Sequence, residues 1–484
     1  MQASLRRCTQ SIARRASIRD YLSAGATNEA VQINAWIKSI RRQKHVSFVN
    51  LNDGSNSDGI QAVIPNTLLA ESDDSTNAGL QTGASVTFTG RLTEKQGGRK
   101  VTSAQAPKSN VELQVEQIKL IGECDGATYP IQKKDHTAPF LRRNAHLRGR
   151  TSTIATMLRV RDTMTQACYS YFREQGYTNV AMPLITSSDC EGAGEVFSVM
   201  HGPQGKEKPF WPGTPSYLTV SGQLHLEALT IGGGLGKTWH LGPCFRAERS
   251  DTNRHLNEFW MCEAELAWTE TLEDVMSVVE GLVKSIASRI LETNGESMKQ
   301  VLPQGLDICE SVTSTSAAWK RLTYDQAIEE LEVAAKSDAD LFQHQPSHLD
   351  GLRSEHERYL ADKYGPTFVT DYPATQKPFY MRENEASNVS NERTVACFDL
   401  LVPRVGELVG GSLREERLDK LVQSMKEHGM ALENYEWYLD LRRYGSAPHG
   451  GFGLGWERLV SWLCGIENVR ECIPFPRGAE ASRF

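Results

Sequence analysis

The sequence predicts an α+β chain of two or three domains: a small antiparallel β-barrel, then a larger domain mixing long helices with strand hairpins. Three observations carry that prediction. Five short, mostly alternating apolar runs lie between Val31 and Cys124. Ser152–Gln175 places Ile154, Leu158, Met164, Cys168 and Phe172 near helical spacing. Trp239–Trp268 sets two apolar runs around a charge-dense polar loop, the pattern of a long-loop hairpin. At 484 residues the chain exceeds one ordinary core, and 39% hydrophobic with 23% charged residues is the composition of a soluble globular protein. A net charge of −7 argues against a sequence-blind nucleic-acid coat but leaves room for a local basic groove. No apolar run reaches the roughly eighteen residues of a membrane span. The ten cysteines form no C-x-x-C pair, which disfavours structural zinc and points to buried, reduced thiols.

The first residues read as an address. Met1–Ser23 carries Arg6, Arg7, Arg14, Arg15 and Arg19, several Ser and Ala, and no acid before Asp20. That composition predicts a transit peptide over residues 1–23 and delivery to the mitochondrial matrix. A basic arm that touches nucleic acid is the competing reading. In residues 31–124, the runs VQINAWI, HVSFVNLN, IQAVIP, SVTFTGRL and VELQVEQIKLIG are separated by Gly, Asn, Asp and Ser clusters. They predict a five-stranded barrel of the oligonucleotide-binding type, an OB-fold. Arg41, Arg42, Lys44 and His45 lie between the first two runs, close to Phe48. Basic side chains beside an aromatic can stack a splayed base and neutralise its phosphate. Strand alternation alone leaves Phe48 equally suited to the core. Residues 125–150 are polar and basic with two prolines, and read as a hinge.

Residues 151–484 form the larger domain. Gly176 suits the C-terminal cap of the first long helix, and a strand holding Pro183 follows. Glu191-Gly192-Ala193-Gly194 is an acidic, flexible loop able to close over a ligand, with a surface turn as the plain alternative. Ser221 can cap a helix on which Gln223 and Glu227 stand four residues apart on one face. An amide beside a carboxylate there can clasp a small zwitterion, or simply meet solvent. In the hairpin, Arg246, Glu248 and Glu258 sit at the ends of the apolar runs rather than at the tip. Arg246 can aim its fork of donors at a phosphate, Phe259 can offer a ring to a base, and Glu248 can accept from a nucleobase amino group. Leu272–Leu291 reads as an amphipathic helix and Val312–Asp350 as a polar insertion. In Arg393–Leu418, Asp399 and Glu407 flank an apolar run. Facing one pocket they can share Mg²⁺; facing apart they are ordinary strand ends, and spacing alone favours the latter. Glycines ahead of the last apolar helix let a nucleotide approach the backbone, and Arg458 projects from that helix.

The stretch Phe245-Arg246-Ala247-Glu248, followed by Arg254-His255-Leu256-Asn257-Glu258-Phe259, resembles the second signature of the class II aminoacyl-tRNA synthetases, in the subgroup charging aspartate, asparagine and lysine. Gly176–Ile185 and Gly451–Val460 resemble the other two signatures, in the right order. The resemblance implies a catalytic domain built on an antiparallel sheet flanked by helices, and a homodimer joined through the first helix and strand. It implies ATP and Mg²⁺ as cofactors, with Arg246 at the α-phosphate, Arg458 and His255 at the γ-phosphate, and Asp399 and Glu407 holding the metal. It assigns Glu191 to a loop closing over the amino acid, Ser221, Gln223 and Glu263 to the substrate ammonium, and Arg414 to the substrate pocket. It makes Arg41, Phe48 and Gln61 candidate anticodon contacts; His449 reads as a structural histidine on its own and receives no role from the resemblance. Arg353–Leu360 resembles a segment of the asparaginyl branch and receives no role.

The choice of amino acid turns on Glu227. Arg414 can donate to the side-chain oxygen of aspartate or asparagine, whereas a carboxylate accepts from an amide NH₂ and repels a second carboxylate by several kcal/mol. The aspartyl branch typically has Ser-Pro-Gln and then Lys-Gln in this helix. Here Ser221-Gly222-Gln223 and Leu226-Glu227 stand, as in asparaginyl enzymes. The expectation is therefore asparagine joined to tRNA(Asn) through an asparaginyl-adenylate. An aspartyl enzyme, a non-catalytic RNA-binding relative and an asparagine-forming amidoligase are the alternatives; the barrel argues against the last.

Overall fold

The computed structural model describes residues 16–95, 111–187, 196–203, 205–250, 252–314, 317–385 and 393–478. The chain divides into two units, Met1–Ala155 and Thr156–Phe484.

In the first unit, helix α1 (Ile18–Ala24) is closed by a reciprocal cap between Ser17 and Asp20. Ile18 lies in the barrel core, and its backbone N–H donates to Asp53 Oδ2 at 2.8 Å. The end of the stretch read as an address therefore belongs to the folded unit, because Ile18 is committed to its core. Strands β1 (Thr27–Arg42), β2 (Val46–Asn52), β3 (Ile60–Pro65), β4 (Ser85–Glu94) and β5 (Val111–Gly122) close in the order β1-β2-β3-β5-β4. Every pairing is antiparallel except β3 with β5. Alternation supplies the core: Ile33, Val49, Leu51, Ile64, Phe88 and Leu113 are buried inside. Residues 125–150, read as a hinge, carry two short helices, Ala138–Arg143 and Ala145–Arg148, and bury Ile131 and Arg148.

In the second unit, helix α2 (Ser152–Glu174) ends where Gly176 takes φ +77°. An eight-stranded sheet follows, with strands β6 (Thr178–Asn179), β7 (Lys237–Phe245), β8 (Glu258–Ala267), β9 (Lys320–Thr323), β10 (Thr367–Thr370), β11 (Cys397–Val402), β12 (Gly406–Leu413) and β13 (His449–Gly455). Their order is β9-β10-β11-β12-β13-β8-β7-β6. The inner strands are antiparallel; β6 and β9 add one parallel pairing at each edge. Helices α3 (Gln223–Glu227), α4 (Leu272–Val301), α5 (Ser354–Tyr364), α6 (Glu436–Arg443) and α7 (Trp456–Cys464) accompany the sheet. Helix α4 runs ten residues beyond the expected Leu291 and buries Val279, Val283, Ile286 and Ile290 along one stripe.

The Val312–Asp350 segment is no surface insertion. Tyr324, Ile328, Leu331 and Phe342 form a core with Leu360, Val369, Cys397 and Leu401. Its apolar residues are spaced for a helix, and the surrounding polar residues hid them. Among the described residues, no helix is long and apolar enough to cross a membrane.

Candidate active site

The sheet register builds the site. Glu263 on β8 pairs with Gly453 on β13, Gly453 with Gly410 on β12, and Gly410 with Asp399 on β11. One row thus reads acid, glycine, glycine, acid, leaving a floor bare of side chains between two carboxylates. The next row on the same face runs Glu265, Gly451, Ser412. A flat ligand can lie directly on backbone there.

At the β8 end, Glu263 accepts from the Ser221 hydroxyl and from the Gly222 backbone N–H at 2.9 Å. Ser221 Oγ in turn accepts from the Gln223 N–H at 3.1 Å, but the residue at the N-cap of α3 is Gly222, so Ser221 serves to orient the carboxylate rather than to cap the helix. Two rows over, Arg414 donates Nε and Nη2 to Glu265 at 3.1 and 3.0 Å, a bidentate pair. Arg414 is 3% exposed and Glu265 1%. Burial pushes the Glu265 carboxyl up despite Arg414 beside it.

Glu227, expected at the amino acid, stands behind this layer. It is fully buried and accepts from Tyr438 at 2.6 Å, Arg442 at 2.8 Å and Gln223 at 3.1 Å. Its carboxylate is 3.9 Å from Arg414 Nε. Burial alone would raise its carboxyl, but Arg442, His449 and Arg414 overcome burial and hold it below the usual range. Of the two acids beside Arg414, Glu265 lines the cavity and Glu227 does not. His449 bridges the Ala447 carbonyl at 2.7 Å and Glu227 at 3.2 Å, a satisfied structural role.

A cavity of about 820 Å³ holds Ser221, Gln223, Glu263, Glu265, Asp399 and Arg414. A second, of about 690 Å³, holds Glu248, His255, Phe259 and Arg458. Arg246, Met261, Glu407 and Gly453 line both, so they form one cleft of a size suited to a nucleotide beside an amino acid. In the second half, the Arg246 guanidinium lies 5.4 Å from the centre of the Phe259 ring. His255 sits 3.4 Å from Glu248 and is held by Ser250 and Thr252 on its other nitrogen. Burial lowers its pKa, with Arg458, Arg254 and Arg246 adding to that and Glu248 opposing. Arg458 donates to the Glu407 carbonyl at 2.9 Å and lies 3.4 Å from its carboxylate.

Asp399 and Glu407 do converge. A bulge in β12 pairs Leu400 with Val409 but Leu401 with Glu407, turning Glu407 onto the Asp399 face. A Cβ placed on Gly410 would lie 3.6 Å from an oxygen of each. Lys377 Nζ is 2.7 Å from Asp399 and 3.9 Å above the Tyr372 ring. Burial raises Asp399 against the pull of Lys377; burial also pushes Glu407 up, but Arg458, Lys377, Arg254 and Arg246 bring it below the ordinary range.

A model of the class II tRNA synthetases (D, K and N) matches residues 138–479, and one of the OB-fold nucleic acid binding domain matches residues 31–121. An asparagine--tRNA ligase of Thermosynechococcus vestitus is 41% identical over 96% of this chain and 99% of that protein. An asparaginyl-tRNA synthetase of Homo sapiens is 41% identical over 95% and 93%. The chain belongs to the class II asparaginyl-tRNA synthetase family. In three dimensions it is similar to the crystal structure of asparaginyl-tRNA synthetase from Pyrococcus horikoshii complexed with asparaginyl-adenylate, with a TM-score of 0.83, 30% identity, and 97% and 99% of the two chains covered.

The barrel of this synthetase presents its own candidate surface. Arg41 pairs across strands with Phe48, and its guanidinium is 5.1 Å from the ring centre. Phe48 is partly exposed between buried Ser47 and Val49, which answers the core-or-face question in favour of the face. Gln61 stands on the neighbouring strand, pairing with Asn50 and donating to Glu112 at 2.9 Å. Glu191 lies outside the described residues.

Three residues escaped the sequence reading. Glu265 repeats the outward period of Glu263 and was available from alternation in β8. Lys377 and Glu357 sit in stretches without a readable pattern. Glu357 accepts from the Glu407 backbone N–H at 3.1 Å and from Arg254 at 3.3 Å, so the segment left without a role braces the start of β12.

Proposed function

We propose that this synthetase joins asparagine to tRNA(Asn) in the mitochondrial matrix, as a homodimer, through an asparaginyl-adenylate. The observation that carries the amino-acid choice is the charge around Arg414. Two buried guanidiniums, Arg414 and Arg442, stand against two buried carboxylates, Glu265 and Glu227. A balanced pocket accepts a neutral carboxamide, whereas an aspartate side chain adds an unpaired charge at low dielectric. The carboxamide oxygen meets Arg414 and its NH₂ meets Glu265, with Glu227 fixing the guanidinium layer from behind.

The ammonium of the amino acid sits at Glu263 and Ser221, Gln223 flanks it, and Glu191 closes over it. The ATP base stacks on Phe259, with its amino group toward Glu248. A carboxylate oxygen of asparagine attacks the α-phosphorus held by Arg246. The bond to the bridging oxygen breaks and its electron pair leaves on pyrophosphate, whose far end faces Arg458 and His255. A 3′-hydroxyl of the terminal tRNA adenosine then attacks the acyl carbon, AMP leaves, and the hydroxyl proton passes to solvent. No side chain acts as nucleophile, so positioning and fixed charge supply the catalysis. Asp399 and Glu407 fit Mg²⁺, since their oxygens meet over Gly410 and a hard cation takes one or two carboxylates plus phosphate oxygens. When bound, the ion neutralises charge on the phosphates. Arg41, Phe48 and Gln61 contact the anticodon.

Pyrophosphate exchange with each amino acid tests the reading. Asparagine should support exchange at least a hundredfold better than aspartate; equal rates would refute it. Residues 1–16 fused to a fluorescent reporter should carry it into mitochondria, and a reporter left in the cytosol would refute the destination. Sedimentation should give twice the mass of 53.9 kDa.

A further inference from the structure

Beside the nucleotide half of the cleft lies a further hollow of about 950 Å³. Arg254, Arg358, Arg404 and Arg458 line it, against one acid, Glu467. Arg254 and Arg458 line the nucleotide cavity as well, so the two spaces share a wall of two cations.

The four guanidiniums are not equally committed. Arg254 is tied to Ser354 at 2.5 Å and Glu357 at 3.3 Å, and Arg458 to Glu407. Arg404 reaches Gln304 at 3.0 Å and is 3.9 Å from Glu467. Arg358 has no ion-pair partner among the described residues. Its neighbour Glu357 holds Arg254, which lines both spaces, while Arg358 lines the hollow. Arg404 is held at φ +69° in the turn between β11 and β12, a conformation an arginine adopts only at a cost. The end of α7, at Trp462 and Gly465, contributes about half a negative charge, well short of the cationic excess.

We propose that this hollow receives inorganic pyrophosphate as it leaves the reaction, an inference that rests on the adenylate-forming reading above. Arg254 and Arg458 hand the leaving group over, and Arg358 and Arg404 draw it out of the nucleotide cavity. These two cations on the exit side lower the barrier to release and set how strongly the product inhibits.

The test is the double variant Arg358→Ala, Arg404→Ala, neither residue lining the nucleotide cavity. In pyrophosphate exchange its KM for inorganic pyrophosphate should rise about tenfold, and the inhibition constant for pyrophosphate in aminoacylation likewise. The KM values for ATP and asparagine should stay within about twofold. The variant Arg358→Lys, Arg404→Lys should recover most of the loss. Unchanged pyrophosphate constants in a variant that melts with wild type would overturn the proposal, as would an equal rise in the KM for ATP. A wild-type protein without asparagine-dependent exchange would instead sink the parent reading. Calorimetric titration with inorganic pyrophosphate then decides this one, tenfold weaker binding by the double variant supporting it and equal binding overturning it.

Discussion

Replacing Glu265 by Gln probes the balanced pocket directly. The native carboxylate grips Arg414 through two hydrogen bonds of 3.1 and 3.0 Å, with both groups out of solvent. Glutamine keeps the shape and one acceptor but removes the charge and turns an NH₂ toward a guanidinium. Two unit charges about 4 Å apart interact by about 4 kcal/mol at an effective dielectric of about 20. Glu227, 3.9 Å from Arg414, retains part of the compensation. A shift in amino-acid discrimination of about 1.5–3 kcal/mol remains, or roughly ten- to a hundredfold. The assay is pyrophosphate exchange with asparagine and with aspartate, read as the ratio of kcat/KM values. That ratio should fall by this factor, because Arg414 is left free to take a carboxylate. Thermal melting separates specificity from unfolding. A folded, active Glu265→Gln variant with the wild-type ratio would refute the argument.

Two glycines of the site floor should respond differently. A methyl at Gly451 would overlap Glu265 Oε2 and the Ala264 carbonyl, so Gly451→Ala should lower stability by about 2–3 kcal/mol and abolish exchange, as melting and activity would show. At Gly410 the added carbon makes ordinary contact at 3.6 Å, so Gly410→Ala should melt normally while the Mg²⁺ concentration for half-maximal exchange rises about tenfold. In the barrel, Phe48→Ala should raise the KM for tRNA about ten- to a hundredfold, the worth of one stacked base, and leave tRNA-independent exchange untouched. The Glu227 carboxyl, held below its unfolded value of 4.5 by Arg442, His449 and Arg414 against burial, contributes stability that is complete above that pH and lost as pH falls. Melting temperature should therefore drop less steeply in acid for Glu227→Gln than for wild type.

Much of this was legible before any coordinates. Alternation with period two marked the five barrel strands, because a strand shows its buried face in every second residue, and two apolar runs around a polar loop marked the Trp239–Trp268 hairpin. Helical spacing marked α2 and most of α4. Arg246, Glu248, Asp399 and Glu407 stood out as charges at the ends of apolar runs, whereas Glu263 and Arg414 were assigned only through the resemblance. Spacing could not bring Asp399 and Glu407 together, since a bulge in β12 decides which face Glu407 takes. Nor could it rank Glu227 against Glu265, two buried acids beside one arginine.

By itself the sequence determined the two folding patterns, the order of the signature stretches and the residue types available for phosphate, base and amino acid. Those are local properties, fixed by periodicity and side-chain chemistry. Tertiary structure alone decided that Glu263, Gly453, Gly410 and Asp399 lie in one row, that Ile18 belongs to the barrel, and that Glu265 fronts the pocket while Glu227 supports it. Strand register and burial depth join residues far apart in the chain, and neither is written in neighbouring letters.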